Sequence, residues 1–160
     1  MGTPKFSLAY KDRQTQALVE QSDHRTLALW ARDCAERVLP YFRADFPEDP
    51  RPQQAIDTLQ TWIDTGEFSM TVIRKASLSS HAAAREVGED TPARSAARAA
   101  GQAVATAHVP THAVGAANYA LQAFHRAAAP DAAAEAVARE REWQYRRLLE
   151  FSESRDAVSL

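Results

Sequence analysis

Apolar side chains recur every three to four residues along most of the chain, which is the period of an amphipathic helix. The clearest case is the segment 22–42, where Leu27, Trp30, Cys34 and Val38 fall on one face. Five more segments show this period between residues that start or stop helices, at 51–66, 69–88, 92–109, 111–129 and 131–150. The pattern predicts an all-α fold, a single compact bundle of about six helices.

The boundaries of this bundle are less sharply marked than its centre. Pro40 is expected to end or kink the first helix, because proline lacks the backbone N–H and clashes with the preceding turn. Residues 1–20 stay open, with a short helix in "YKDRQTQALVEQ" as one possibility. We predict one domain over residues 1–160, with a core at 22–150 and with 1–20 and 151–160 at its periphery.

Alanine is concentrated in the second half of the chain. Residues 76–138 contain 25 of the 33 alanines, whereas residues 22–73 supply larger apolar side chains. Small side chains let helix axes approach closely, to about 8 Å. The distribution therefore predicts an inner pair of Ala-rich helices wrapped by bulkier ones.

Charge and composition exclude several classes of function. The net charge is −2, from 19 basic and 21 acidic residues that are well mixed along the chain, which gives no electrostatic footprint for nucleic acid or an anionic membrane. The single Cys34 excludes an internal disulfide and fits a reducing compartment. There is no apolar run near the roughly 20 residues of a membrane span and no secretion signal. We expect a cytoplasmic protein with no nucleic-acid or membrane partner.

The segment "GQAVATAHVPTHAVGAANYA", residues 101–120, places His108 and His112 four residues apart. That spacing is typical of two-histidine metal sites on one helix. Pro110 divides the pair, so the two imidazoles are predicted to lie at the end of one helix and the start of the next. His81, on the same helical face as Arg85, could complete a three-histidine metal site if its helix reaches this corner.

Motifs of established enzyme classes are missing from the sequence. It has no glycine-rich phosphate loop, no zinc-ribbon cysteines and no nucleophile elbow. We expect a non-enzymatic protein without a cofactor. Two alternatives stay open: a metal-binding or small-ligand-binding protein or enzyme that uses His81, His108, His112 and Tyr119, and a structural or regulatory helical module that self-associates as a homo-oligomer.

Five segments together resemble a known family. They are "HRTLALWARDCAERVLPYF", "RPQQAI", "AAAREVG", "ARAAGQAVATAHVPTHAVGAANYA" and "EREWQYRRLLE", in this order. They are similar to the all-helical immunity proteins of bacterial polymorphic toxin systems, and the resemblance spans residues 22–150. It implies a cytoplasmic protein that binds and neutralises a cognate toxin. The positions similar to the family's recurrent polar residues, with either a binding or a structural role, are Asp33, Arg51, His81, Arg85, His108, His112, Tyr119 and Trp143.

Overall fold

The structure, a computed structural model, describes residues 6–159, and the side chains of residues 6–154. This part of the chain is all helical and contains no strand. It has seven helices, one more than the sequence pattern predicts. They are α1 (Arg13–Gln21), α2 (His24–Asp45), α3 (Arg51–Thr65), α4 (Met70–Glu86), α5 (Pro92–Ala105), α6 (His112–Ala127) and α7 (Ala133–Ser159).

The additional helix is α1, in the segment whose structure the sequence left open. Asp12 caps it by accepting a hydrogen bond from the backbone N–H of Thr15 at 2.9 Å. Val19 is 5% exposed and belongs to the hydrophobic core, while α1 packs along α7. Nine residues are too few for a stable isolated helix, so this packing holds α1 in place.

Pro40 does not end α2, which continues to Asp45. Pro40 and Glu36, whose carbonyl loses its helical partner, both lie on the exposed side of the helix, where water can replace the missing bond. Phe42, in the turn after Pro40, is 1% exposed and anchors the continuation in the core. Burial of the later turn therefore offsets the cost of the proline.

The predicted starts and stops of the central helices are largely confirmed. Gly66 and Gly88 adopt left-handed conformations, with φ of 70° and 80°, at the ends of α3 and α4. Ser69 caps α4 by accepting from the N–H of Val72. Thr91 precedes Pro92 as predicted but makes no side-chain capping bond, and its hydroxyl is buried without a partner among the described residues. The first turn of α5 is therefore stabilised by Pro92 and by tertiary packing more than by a capping hydrogen bond.

Helix α5 lies at the centre of the bundle, where it packs against α2, α3, α4 and α6. Its buried residues are all small or medium sized, namely Ala93, Ser95, Ala96, Ala97, Ala99, Ala100, Gly101, Ala103 and Val104. Helix α6 buries a second alanine-rich face and contacts α2, α5 and α7. Large apolar groups surround the α5–α6 pair, and the largest, Trp30 and Phe42 of α2, are 1% exposed.

Buried polar groups tie the helices together at defined positions. Trp30 donates its indole N–H to the carbonyl of Gln144 at 2.9 Å, and the Gln144 amide donates to the carbonyl of Ala117 at 2.9 Å. These bonds fix the contact of α2, α6 and α7, since a register shift would leave buried groups unpaired. None of the helices described between residues 6 and 159 has the length and apolarity needed to cross a membrane.

Candidate functional site

Two of the residues singled out by the sequence, Asp33 and Trp143, lie where α2 meets α7. Asp33 accepts hydrogen bonds from Nε of Arg147 at 2.8 Å and from Nη2 of Arg32 at 2.8 Å. The indole ring of Trp143 lies 3.9 Å from the guanidinium carbon of Arg37. Both side chains are therefore engaged within the protein.

The ion pair with the more buried carboxylate in this seam joins Arg37 of α2 to Glu140 of α7. The guanidinium donates twice to the carboxylate, with both distances at 2.7 Å, and the Glu140 residue is 4% exposed. This bond raises the pKa of Arg37 above its ordinary value. Because a buried carboxylate needs a partner, the pair holds α2 and α7 together.

Arg51, at the start of α3, has a comparable structural role. Its guanidinium binds the carboxylate of Asp49 at 2.7 Å and also that of Glu86, at the end of α4. The hydrogen bond from Arg51 lowers the pKa of Asp49. Arg51 thereby closes the start of α3 onto the end of α4.

His81 packs from α4 onto α5, at a point where α5 has no side chain. A Cβ atom on Gly101 would lie 2.7 Å from Nε2 of His81, so the imidazole fills the space that the glycine leaves. Arg98 contacts Nδ1 of His81 at 3.0 Å. Because a guanidinium can only donate, Nδ1 accepts and the ring proton is on Nε2. Burial, with the positive charge of Arg98 next, lowers the pKa of His81 to about 4.

His108 and His112 lie at the α5–α6 corner, which is the connection between α5 and α6 together with the first turn of α6. The two histidines have different partners there. His112 donates from Nδ1 to the amide oxygen of Gln102 at 2.8 Å, and burial lowers its pKa. The Gln102 side chain also lies where a Cβ on Gly115 would be, with Oε1 at 2.8 Å. His108 is exposed, and its ring stacks on Phe68 with the ring centroids 5.9 Å apart.

The structure thus brings His81 to the corner where His112 lies. In the part of the chain described, no three His, Cys, Asp or Glu side chains form a group that could hold a metal ion. His81 faces Arg98, His112 faces Gln102 and His108 faces Phe68. The three imidazoles share one region of the surface, and each has its own partner.

The remaining candidates lie along the same side of the molecule. Arg85 is exposed on α4, four residues after His81, while Tyr119 of α6 is half-buried against the core. His81, Arg85, His108, His112 and Tyr119 therefore belong to the α4–α5–α6 side, whereas Asp33 and Trp143 belong to the α2–α7 seam.

One structural histidine, His24, was not predicted to matter. Its Nε2 donates to the carbonyl of Thr106 at 2.5 Å, and its ring lies 4.6 Å from that of Trp62. Thr106 is the C-cap that directly follows α5, so the imidazole satisfies a carbonyl that the helix leaves free. The partners are 82 residues apart in sequence, and no local pattern indicates them.

The buried, neutral His81 predicts a pH-dependent stability. Its pKa is about 4 in the folded protein against 6.5 in an unfolded chain, so folding favours the neutral ring. The stabilisation is fully present above pH 6.5 and is lost as the pH falls toward about 4. We expect a contribution of roughly 1 kcal/mol, allowing for the partial exposure of the ring. Urea unfolding at both ends of this range measures it.

His81→Gln is the control for this experiment, because glutamine does not titrate. The variant should lose less unfolding free energy on acidification than the wild type. An equal loss in the two proteins would mean that the carboxylates account for all of the pH dependence.

The contact of His81 with Gly101 predicts a strong coupling between the two positions. Gly101→Ala should displace the imidazole and break its bond to Arg98, because the new methyl group would lie 2.7 Å from Nε2. In a His81→Ala background the same substitution should stabilise the protein by about 1 kcal/mol, the helix preference of alanine over glycine. A double-mutant cycle of unfolding free energies measures the difference. Equal effects of Gly101→Ala in both backgrounds would contradict the contact.

A comparison with protein families assigns the chain. The model of the family described as Imm-5 like putative immunity protein matches residues 17–151. The chain belongs to this family. The match includes α2 to α6 completely, and with them the whole α5–α6 corner. No curated protein and no solved structure matches the chain.

The two groups of candidate residues differ in how far their charged side chains are available to a partner. An immunity protein has a toxin as its general kind of partner, so the question is which surface is available for it. The α2–α7 seam satisfies its charged groups internally, through Asp33, Arg37 and Arg147. The α4–α5–α6 side contains exposed groups such as Arg85 and His108.

Proposed function

We propose that this protein neutralises a cognate bacterial toxin by binding it, without catalysing a reaction, and that it does so in the cytoplasm. The observation that carries the proposal is the family match over residues 17–151. This span holds the central helix α5 and every side chain that the sequence singled out. The protein would then act through a surface whose shape and charge complement those of the toxin.

The packing at the α5–α6 corner supports binding of a partner protein through the surface of the bundle. His81 fills the space at Gly101, and Gln102 fills the space at Gly115. These side chains close the corner, whereas ligand sites are concave and present convergent polar groups. The corner therefore favours a role in shaping the surface over binding a small ligand.

Survival of bacteria that produce the toxin tests this function. We expect a toxin domain to be encoded beside the gene for this protein. That domain should arrest growth when it is expressed alone, and co-expression of this protein should restore growth. A toxin domain with its own active site inactivated is the control that assigns the arrest to toxin activity. Growth arrest that persists at matched expression of this protein would overturn the proposal.

A further inference from the structure

The positive charge of this protein is unevenly distributed. Residues 70–127, which form α4, α5 and α6, contain six basic and three acidic residues and so carry +3. The whole chain carries −2, which leaves −5 on the rest. Of the three acidic residues, Glu86 pairs with Arg51 and Asp90 pairs with Arg94 and Arg126. This third of the protein is therefore a cationic region on an acidic molecule.

One stripe of α4 exposes both apolar and cationic groups. Met70, Arg74, Leu78, His81 and Arg85 follow each other at intervals of four, four, three and four residues, so they share one side of the helix. Leu78 is 55% exposed and Met70 is 43% exposed. Since His81 contacts α5, this stripe lies on the α4–α5–α6 side of the bundle.

The stripe continues at its N-terminal end and beside its centre. Phe68, just before α4, is 49% exposed and stacks on the exposed His108. Arg98 of α5 lies beside His81, at 3.0 Å from its Nδ1. We call the surface formed by Phe68, Met70, Arg74, Leu78, Arg85, Arg98 and His108 the α4 face.

The arginines of the α4 face differ from those of the α2–α7 seam. Among the side chains described, Arg74, Arg85 and Arg98 have no carboxylate partner, whereas Arg37 and Arg147 on the α2–α7 seam are paired with Glu140 and Asp33. A partner that meets the α4 face therefore gains these three charges without breaking an internal ion pair. Arginine and large apolar groups are also the side chains enriched at binding hot spots.

We propose that the α4 face is the toxin-binding surface and that the bound surface of the toxin is acidic around an apolar contact for Leu78. This inference rests on the proposed immunity function. Charge complementarity selects the occupant, because three arginines without a carboxylate partner, around exposed leucine, methionine and phenylalanine, match carboxylates around an apolar patch. A basic nucleic-acid cleft would be repelled, so a nuclease toxin would be bound at an acidic region outside its cleft.

The test compares two charge reversals of equal size in binding to the purified toxin domain encoded beside the gene. Arg74→Glu/Arg85→Glu changes the α4 face, and Arg13→Glu/Arg139→Glu changes two exposed arginines of α1 and α7 that have no carboxylate partner among the described side chains. We expect the first pair to weaken binding roughly 100-fold or more and the second by less than about threefold. Leu78→Asp should weaken binding by at least about tenfold.

The structure predicts that all of these variants fold, because each replaced side chain is exposed, and thermal unfolding checks this. If the wild type binds the toxin domain and Arg74→Glu/Arg85→Glu binds it equally well, the assignment of the α4 face as the binding surface is wrong, while the proposed immunity function stands. If the wild type does not bind, the proposed function itself fails. If the wild type forms a dimer that Leu78→Asp dissociates while toxin binding is unchanged, the occupant is a second copy and the inference is overturned.

Discussion

Ala100→Leu is expected to lower the unfolding free energy by about 3 kcal/mol, at the upper end of the range for overpacking in a core. Ala100 is fully buried on α5, the helix that packs against α2, α3, α4 and α6. A leucine there has no side toward which it can relax, because helices surround it. Chemical denaturation of the two proteins measures the difference.

Ala138→Leu is the matched control, since it makes the same chemical change on the exposed side of α7. Its effect should stay within about 0.5 kcal/mol. A loss well under 1 kcal/mol for Ala100→Leu would show that α5 is not tightly enclosed by its neighbours.

Arg37→Ala is expected to have the second largest effect, a loss of about 2 kcal/mol of unfolding free energy. The substitution leaves the carboxylate of Glu140 buried without its partner, and the Glu140 side chain is 3% exposed. The loss should stay below the roughly 3 to 5 kcal/mol of a fully buried pair, because the Arg37 side chain is 39% exposed. Urea unfolding at neutral pH measures it.

Two further variants separate the buried charge from other effects of removing arginine. Adding Glu140→Gln to Arg37→Ala should recover part of the loss, because an amide carries no charge to be buried. Arg146→Ala breaks the exposed pair with Glu142 and should cost less than about 0.5 kcal/mol. If Arg37→Ala lowers the unfolding free energy as little as Arg146→Ala does, the Arg37–Glu140 pair does not hold α2 and α7 together.

The helical class of the fold follows from sequence because it depends on local features. The apolar period and the glycines at 66 and 88 predict six of the seven helices, but α5 ends at Ala105, four residues before its predicted end, and α7 continues to Ser159, nine residues beyond its predicted end. Pro40 and α1 were less predictable, since both depend on burial against distant residues. Phe42 holds the turn after Pro40 in the core, and Val19 holds α1.

The candidate site was predictable in its members more than in its geometry. Pro110 showed from sequence alone that His108 and His112 do not lie on one continuous helix, and the structure has His108 in the connection after α5 and His112 at the start of α6. The placement of His81 against Gly101 depends on the distance between α4 and α5, which is set by the whole bundle. Asp33 and Trp143 were grouped with the histidines, although their partners lie across the α2–α7 seam.

Calorimetric titration of this protein with the toxin domain encoded beside its gene asks directly whether the two proteins bind. We expect saturable one-to-one binding with a Kd below about 1 μM, as for a specific interface of ordinary size. Binding should also weaken as salt is raised, since arginines of the α4 face that have no carboxylate partner contribute to it. No binding of the folded wild type at concentrations of roughly 100 μM would overturn the proposed immunity function.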